Sequence, residues 1–140
     1  MRVLIDTNIL VSAIYSKTGT ANQAYRKAVE SPYQAIICEQ SLEEIRRVFN
    51  RKFPDKIKAY ESFIAMAVSV VAIAPVPCSP HSDEDKIRDF DDRPILRAAI
   101  AAGADILLTG DKDFLESGLK TPLLINAADF LNYKNVDSAI

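Results

Sequence analysis

PILRAAIAAGADILLTGDKDF, residues 94–114, puts a helix, a strand and a pair of acids into one stretch. Pro94 suits the first turn of a helix, where a missing N–H has no intrahelical partner to lose. Gly103 then ends the helix, because glycine takes the left-handed backbone of a helix C-terminus without strain. "DILLT" reads as a buried strand, and a Thr-Gly turn sets Asp111 and Asp113 two residues apart just beyond it. A helix feeding a buried strand in this way is half of a parallel crossover unit.

The same alternation extends through the rest of the chain. "RVLID" is an apolar β-rich run that leads directly into the helical spacing of "TNILVSAIY". "KTGT" breaks that helix, Thr20 is expected to cap a second one, and Ser31-Pro32 ends it. "QAIIC" is a strand, and "SLEEIRRVFN" and "DKIKAYESFIAMAV" form a helical pair, with Leu42, Ile45, Val48 and Phe49 on one face of the first. "VVAIA" is a third strand, and Pro75 to Asp92 carries no periodicity and reads as a long loop, a kind of segment that often carries function. After the quoted stretch come a fifth strand, "PLLIN", and a short helix, "AADFLNY", while the closing "KNVDSAI" is expected to fray. Strands alternating with helices imply right-handed crossovers and a sheet covered on both faces, a three-layer α/β/α sandwich around a parallel sheet of about five strands.

Composition narrows the function classes. A chain of 140 residues fits one domain and buries a sizeable core unaided. Two cysteines, Cys38 and Cys78, are too few for a disulfide scaffold, and no leader pattern or membrane-length apolar run is present, so the reducing cytoplasm is the expected compartment. The formal net charge of −2 gives no global attraction for nucleic acid, so such a partner needs a local basic face or bound cations. Arg46, Arg47, Arg51 and Lys52 lie in one basic run that is a candidate for phosphate contact, although a solvated helix face explains the same residues.

In a sheet of this type, ligands bind outside the carboxyl ends of the strands, where the winding reverses. Asp6 closes the first strand and Asp111, with Asp113, follows the fourth; if those strands are neighbours, the acids share one crevice. Helical phase lets Glu44 border an apolar stripe and puts Asp92 on the core side of the helix at Pro94. Crowded carboxylates repel one another and are unfavourable without a cation, and oxygen-only donors select Mg²⁺ or Mn²⁺ over zinc. One histidine, His81, leaves little material for a Cys/His zinc site or a Ser-His-Asp triad, whereas metal-activated water attacking a phosphodiester fits the inventory.

"IDTNILVSA", the acid in "LEEIRRVF", "DDRPILRAAIAAGADILLTGDKDF" and the chain length together resemble the PIN-domain family, which includes the VapC-type toxin ribonucleases. The resemblance spans Arg2 to Tyr133. It implies Mg²⁺- or Mn²⁺-dependent cleavage of single-stranded RNA to a 5′-phosphate and a 3′-hydroxyl, a small antitoxin partner and a homodimer. It also implies that Asp6, Glu44, Asp92 and Asp111 are the four motif acids, with Asp6, Asp92 and Asp111 on the metal, Asp113 an additional nearby ligand, and Glu44 orienting the attacking water. Asn8, Ser12 and Thr109 match the small polar positions around the site, while spacing selects Asp92 without excluding Asp91.

Structural roles compete at each acid. Asp111 and Asp113 suit a turn, Ser41 with Glu44 a capping box, Asp92 a helix dipole, and Asp6 an Asx cap. Phosphotransfer, and a catalytically silent RNA- or partner-binding module, are the alternative functions. The phosphatase pattern wants a second acid where Asn8 stands, and intact acids argue against a silent scaffold.

Overall fold

The computed structural model describes residues 1–134, so the expected fraying beyond them lies outside the described residues. The chain runs β1 (Arg2–Ile5), α1 (Thr7–Tyr15), α2 (Thr20–Ala28), β2 (Gln34–Cys38), α3 (Glu39–Lys52), α4 (Ile57–Ala67), β3 (Ala72–Ala74), α5 (Arg93–Ala101), β4 (Ile106–Leu108), α6 (Lys112–Leu115), β5 (Leu123–Ile125) and α7 (Ala127–Asn132). All neighbouring strands are parallel, in the order β3-β2-β1-β4-β5. The chain winds outward from β1 to β3, then returns to the other side of β1. The winding therefore reverses between β1 and β4.

Alternation along each strand makes the three layers. Val3 and Ile5, with Ala35, Ile37, Ile106 and Leu108, face α1 to α4 and α7, whereas Leu4, Ile36 and Leu107 face α5 and α6. On the first face Phe49 is fully buried, its ring 5.5 Å from Phe53 and 5.6 Å from Tyr60, so the helical pair packs through its aromatics. On the second, α5 closes with Gly103 at φ +68°, and the N–H groups of Gly103 and Ala104 donate to Ile100 and Ala99 at 3.1 and 2.9 Å. That pair of hydrogen bonds caps carbonyls left free at the helix end and turns the chain into β4.

Three local expectations need correction, and one element was not anticipated. Thr20 does not cap α2, whose N-cap is Gly19 with no side-chain bond. α3 starts at Glu39, two residues before Ser41, so Ser41 is an interior, fully buried residue and no capping box with Glu44 forms. The segment after β4 contains the one-turn helix α6, too short for any periodicity to show. The segment 75–92 contains two 3-10 turns, Ser82–Lys86 and Phe90–Asp92.

An ion pair secures that segment. Arg97 of α5 donates to Glu84 at 2.8 and 3.1 Å and to the Pro77 carbonyl at 3.0 Å, and Glu84 is 2% exposed. The Arg97 guanidinium holds the Glu84 carboxyl below the usual range, and the Glu84 carboxylate also accepts from the N–H of His81. Removing one member of a buried pair strands the other, at a cost of about 3–5 kcal/mol. Arg97→Ala should accordingly lower the thermal midpoint by roughly 10 °C, read by circular dichroism. A fall of only a degree or two would show that the pair does not hold the segment.

Among the described residues, no helix is long and apolar enough to cross a membrane.

Candidate active site

The site is built on the β1–β4 ladder. Ile5 pairs with Leu108, so the next residues, Asp6 and Thr109, stand side by side at the carboxyl ends of their strands. The Asp6 N–H donates to the Leu108 carbonyl at 2.9 Å, which keeps its backbone in the ladder. Its side chain is 4% exposed and fixed at both oxygens: Oδ1 accepts from the Thr7 N–H at 2.8 Å and Oδ2 from Thr109 Oγ1 at 2.7 Å. Burial outweighs these two bonds and, with the charges of Asp111 and Glu44, pushes the Asp6 carboxyl up to about 6. Asp6 thus caps α1 and faces two other acids.

Asp111 caps α6, its Oδ1 accepting from the Asp113 N–H at 2.8 Å, while its own N–H donates to Thr109 Oγ1 at 3.1 Å. The turn explanation of these acids is therefore correct as local structure and compatible with a site. Asp92 enters from the start of α5. Its Oδ2 is buried and has no hydrogen-bond donor, although Asp111 lies within hydrogen-bonding reach of the side chain. Two ionised carboxylates cannot bond to each other, so that contact is satisfied only by a shared proton or by a cation. Without a cation, burial first, then Asp111, Asp6 and Asp89, push Asp92 up to about 8. Asp91 points outward and is exposed.

Not every expected residue joins the cluster. Asp113 lies on its flank, where Oδ1 accepts from Arg88 Nε and Nη2 at 3.0 and 2.5 Å. Single oxygens of Asp89, Asp92 and Asp113 come within 4.8 Å of one another, which makes Asp89 an acid that spacing alone did not select. Glu44 is half-buried near enough to act on Asp6 through its charge, and its Oε1 accepts from Gln40 Nε2 at 3.0 Å. Thr109 is fully buried and bonded to Asp6, whereas Asn8 and Ser12 lie on the exposed face of α1 with no side-chain hydrogen bond among the described residues. Thr7, which sequence reasoning passed over, donates through Oγ1 to Ser41 Oγ at 2.8 Å and ties α1 to α3 beneath the acids. Its place one residue after the strand acid was the available signal.

The other chemistry-bearing residues sit apart. Cys38 is buried and Cys78 exposed, both as free thiols, and His81 Nδ1 accepts from the Asp83 N–H at 3.0 Å as the cap of a 3-10 turn. Arg46 is paired with Glu43 at 2.6 Å.

Comparison with known proteins agrees with this architecture. Residues 2–113 match the family model described as PIN domain. Among solved structures, the chain is similar to VapBC2 from Rickettsia felis, crystallised bound to a DNA fragment from their promoter, at 19% identity and TM-score 0.66 over 90% of this chain and 98% of that one. It is also similar to Mycobacterium tuberculosis VapC20, described as a Sarcin-Ricin loop cleaving toxin, at 16% identity and TM-score 0.58 over 84% of this chain and 95% of that one. Likeness at these identities establishes the fold. No curated protein sequence matches the chain.

Proposed function

The chain belongs to the PIN-domain family, and on that premise we propose that it is a divalent-cation-dependent endoribonuclease of single-stranded RNA and the toxin of a toxin–antitoxin pair. The observation that carries the reading is the contact between Asp92 and Asp111, in which a buried Asp92 oxygen has no donor, beside a third acid, Asp6, that is fixed and desolvated. A donor set made only of carboxylate oxygens fits Mg²⁺ or Mn²⁺. Asp6, Asp92 and Asp111 are the proposed holders of the cation, with Asp113 and Asp89 at the flank. Bound there, a divalent cation supplies positive charge for the phosphodiester's developing negative charge and for lowering the pKa of water.

This chain's own residues supply the geometry. Thr109 and the Thr7 N–H lock the Asp6 carboxylate in one orientation, so no side-chain order has to be found when substrate arrives. Glu44, close to Asp6 and restrained by Gln40, is the acid proposed to orient the attacking water. The descriptions of the two solved relatives as a VapBC pair and a cleaving toxin support the toxin reading. The description of one relative as VapBC2 also supports a small antitoxin partner; we propose further that a segment of it covers the acid crevice and that the protein is a cytoplasmic homodimer.

The test is incubation of the purified protein with a mixed-sequence single-stranded RNA in Mn²⁺, in Mg²⁺ and in EDTA. Cleavage in the cations, absent in EDTA and yielding 5′-phosphate ends, is the expected result. Absence of cleavage together with no calorimetric heat on Mn²⁺ titration would overturn the reading and favour a silent binding module.

A further inference from the structure

Arg46, Arg47, Arg51 and Lys52 are all exposed, yet they are not equivalent. Arg46 is neutralised by Glu43, three residues before it on the same helix. Arg47 and Arg51 have no ion-pair partner among the described residues, and together with Glu44, Val48 and Asn50 they line an open hollow of about 530 Å³ on the surface of α3. Lys52 lies outside it.

Helical phase produces the grouping. Positions 44, 47, 48 and 51 follow the spacing i, i+3, i+4 and i+7, so their side chains form one stripe along the helix. Arg47 and Arg51 are separated by one turn, a rise of about 6 Å, which is close to the separation of successive phosphates in an extended strand. Glu44, the acid proposed to orient the attacking water, itself lines the hollow and stands at the end of the stripe nearer the start of α3, so the hollow adjoins the proposed site through that residue.

An RNA backbone approaching this cluster meets several carboxylates on a chain whose formal net charge is −2. Some local cation has to offset that repulsion and fix the strand's direction, and guanidinium groups suit phosphate oxygens because their donors form a planar fork. We infer that Arg47 and Arg51 bind two phosphates of the substrate to one side of the scissile bond, with the strand running along α3 away from Glu44. This assignment rests on the ribonuclease reading and adds a direction to it. Arg46 and Lys52 take no part.

The test uses a fluorescein-labelled, mixed-sequence single-stranded RNA whose binding is followed by anisotropy in EDTA from about 50 to 300 mM salt, the range over which counterion release is read. Cleavage kinetics in Mn²⁺ are measured alongside, and thermal unfolding verifies the fold of each variant. The Arg47→Ala/Arg51→Ala double variant should bind roughly tenfold more weakly, and its plot of log affinity against log salt should be shallower by roughly 1.4, two single-strand contacts. Its KM should rise with kcat retained, and Arg46→Ala should overlay the wild type. An unchanged slope and KM in the double variant, with the wild type still cleaving, would overturn this inference alone. An equal effect from Arg46→Ala would do the same, by reducing the effect to general charge. A wild type that neither binds nor cleaves RNA would remove the ribonuclease reading and this inference with it.

Discussion

Asp6→Asn and Asp111→Asn should each lower metal-dependent RNA cleavage at least about 10³-fold, a loss of about 4 kcal/mol of transition-state stabilisation. The Asp6 substitution keeps the shape of the side chain and an oxygen to accept from the Thr7 N–H, while it removes the negative charge and turns the oxygen that accepts from Thr109 into an amide donor, to which the Thr109 hydroxyl must reorient. At position 111 an amide oxygen can still accept from the Asp113 N–H, so the α6 cap survives. The double variant should be little worse than either single one, because residues that hold one cation act as a unit. Asp91→Asn is the control: this residue is exposed and lies next to Asp92, so its removal should leave the rate within about twofold if charge near the site is irrelevant and position decides. Steady-state cleavage of a labelled RNA in Mn²⁺ compares all four variants with the wild type. Retained activity in both single variants would end the ribonuclease proposal, while loss on Asp91→Asn would move the third acid by one residue.

The second large effect is on stability and has the opposite direction. Ionised carboxyls held close together without a cation oppose folding, so the acids of this site should destabilise the metal-free protein. Asp6 is raised to about 6 and Asp92 to about 8, from 3.8. A carboxyl whose folded pKa is raised binds its proton more tightly in the folded state, so its contribution is fully present below pH 4 and is lost as pH climbs through 6 and then 8. Asp6 alone accounts for about 3 kcal/mol across that window. The metal-free protein should therefore melt at a lower temperature at pH 8 than at pH 5.5. Asp92→Asn, whose amide can donate a hydrogen to Asp111 without carrying charge, should raise the pH 8 midpoint by roughly 5 °C. Mn²⁺ should stabilise the wild type, by about 2.7 kcal/mol at a hundredfold excess over its dissociation constant, and should do much less for the variant. Differential scanning fluorimetry with and without Mn²⁺ measures each of these. A wild type more stable at pH 8 than at pH 5.5 in EDTA, or an Asp92→Asn protein that melts earlier, would contradict the electrostatic account of the site.

The layers were readable because strands such as Val3–Ile5 and Ile106–Leu108 are uninterrupted apolar runs, the mark of a strand buried on both faces, and because helices such as α5 have an apolar stripe between Pro94 and Gly103. Strand order was not readable. That β1 lies beside β4 depends on long-range pairing that no local pattern encodes, and it is this pairing that brings Asp6 to Thr109 and Asp111.

Local signals also misled where tertiary packing decided otherwise. Ser41 has the sequence context of a helix cap, but β2 passes into α3 at Cys38 with no intervening loop, and Ser41 is carried inside to accept the Thr7 hydroxyl. Asp89 was passed over because the segment before α5 has no period from which a side-chain direction could be read. In the basic run, sequence supplied four cations with equal claims, and only the positions of Glu43 and the α3 hollow separate Arg47 and Arg51 from the others.

The N–H of Asp6 belongs to the hydrogen-bonded ladder between the first and fourth strands, at the centre of the sheet. Shifting the backbone that carries that carboxylate therefore means breaking the pairing that holds the two halves of the sheet together. Loss of activity in denaturant should coincide with global unfolding, and the Asp6 amide should exchange its hydrogen only as fast as the whole molecule opens. If the proposed activity holds, a site anchored this way has no locally loosened backbone to switch it off, and its restraint would come from a partner that occupies the crevice.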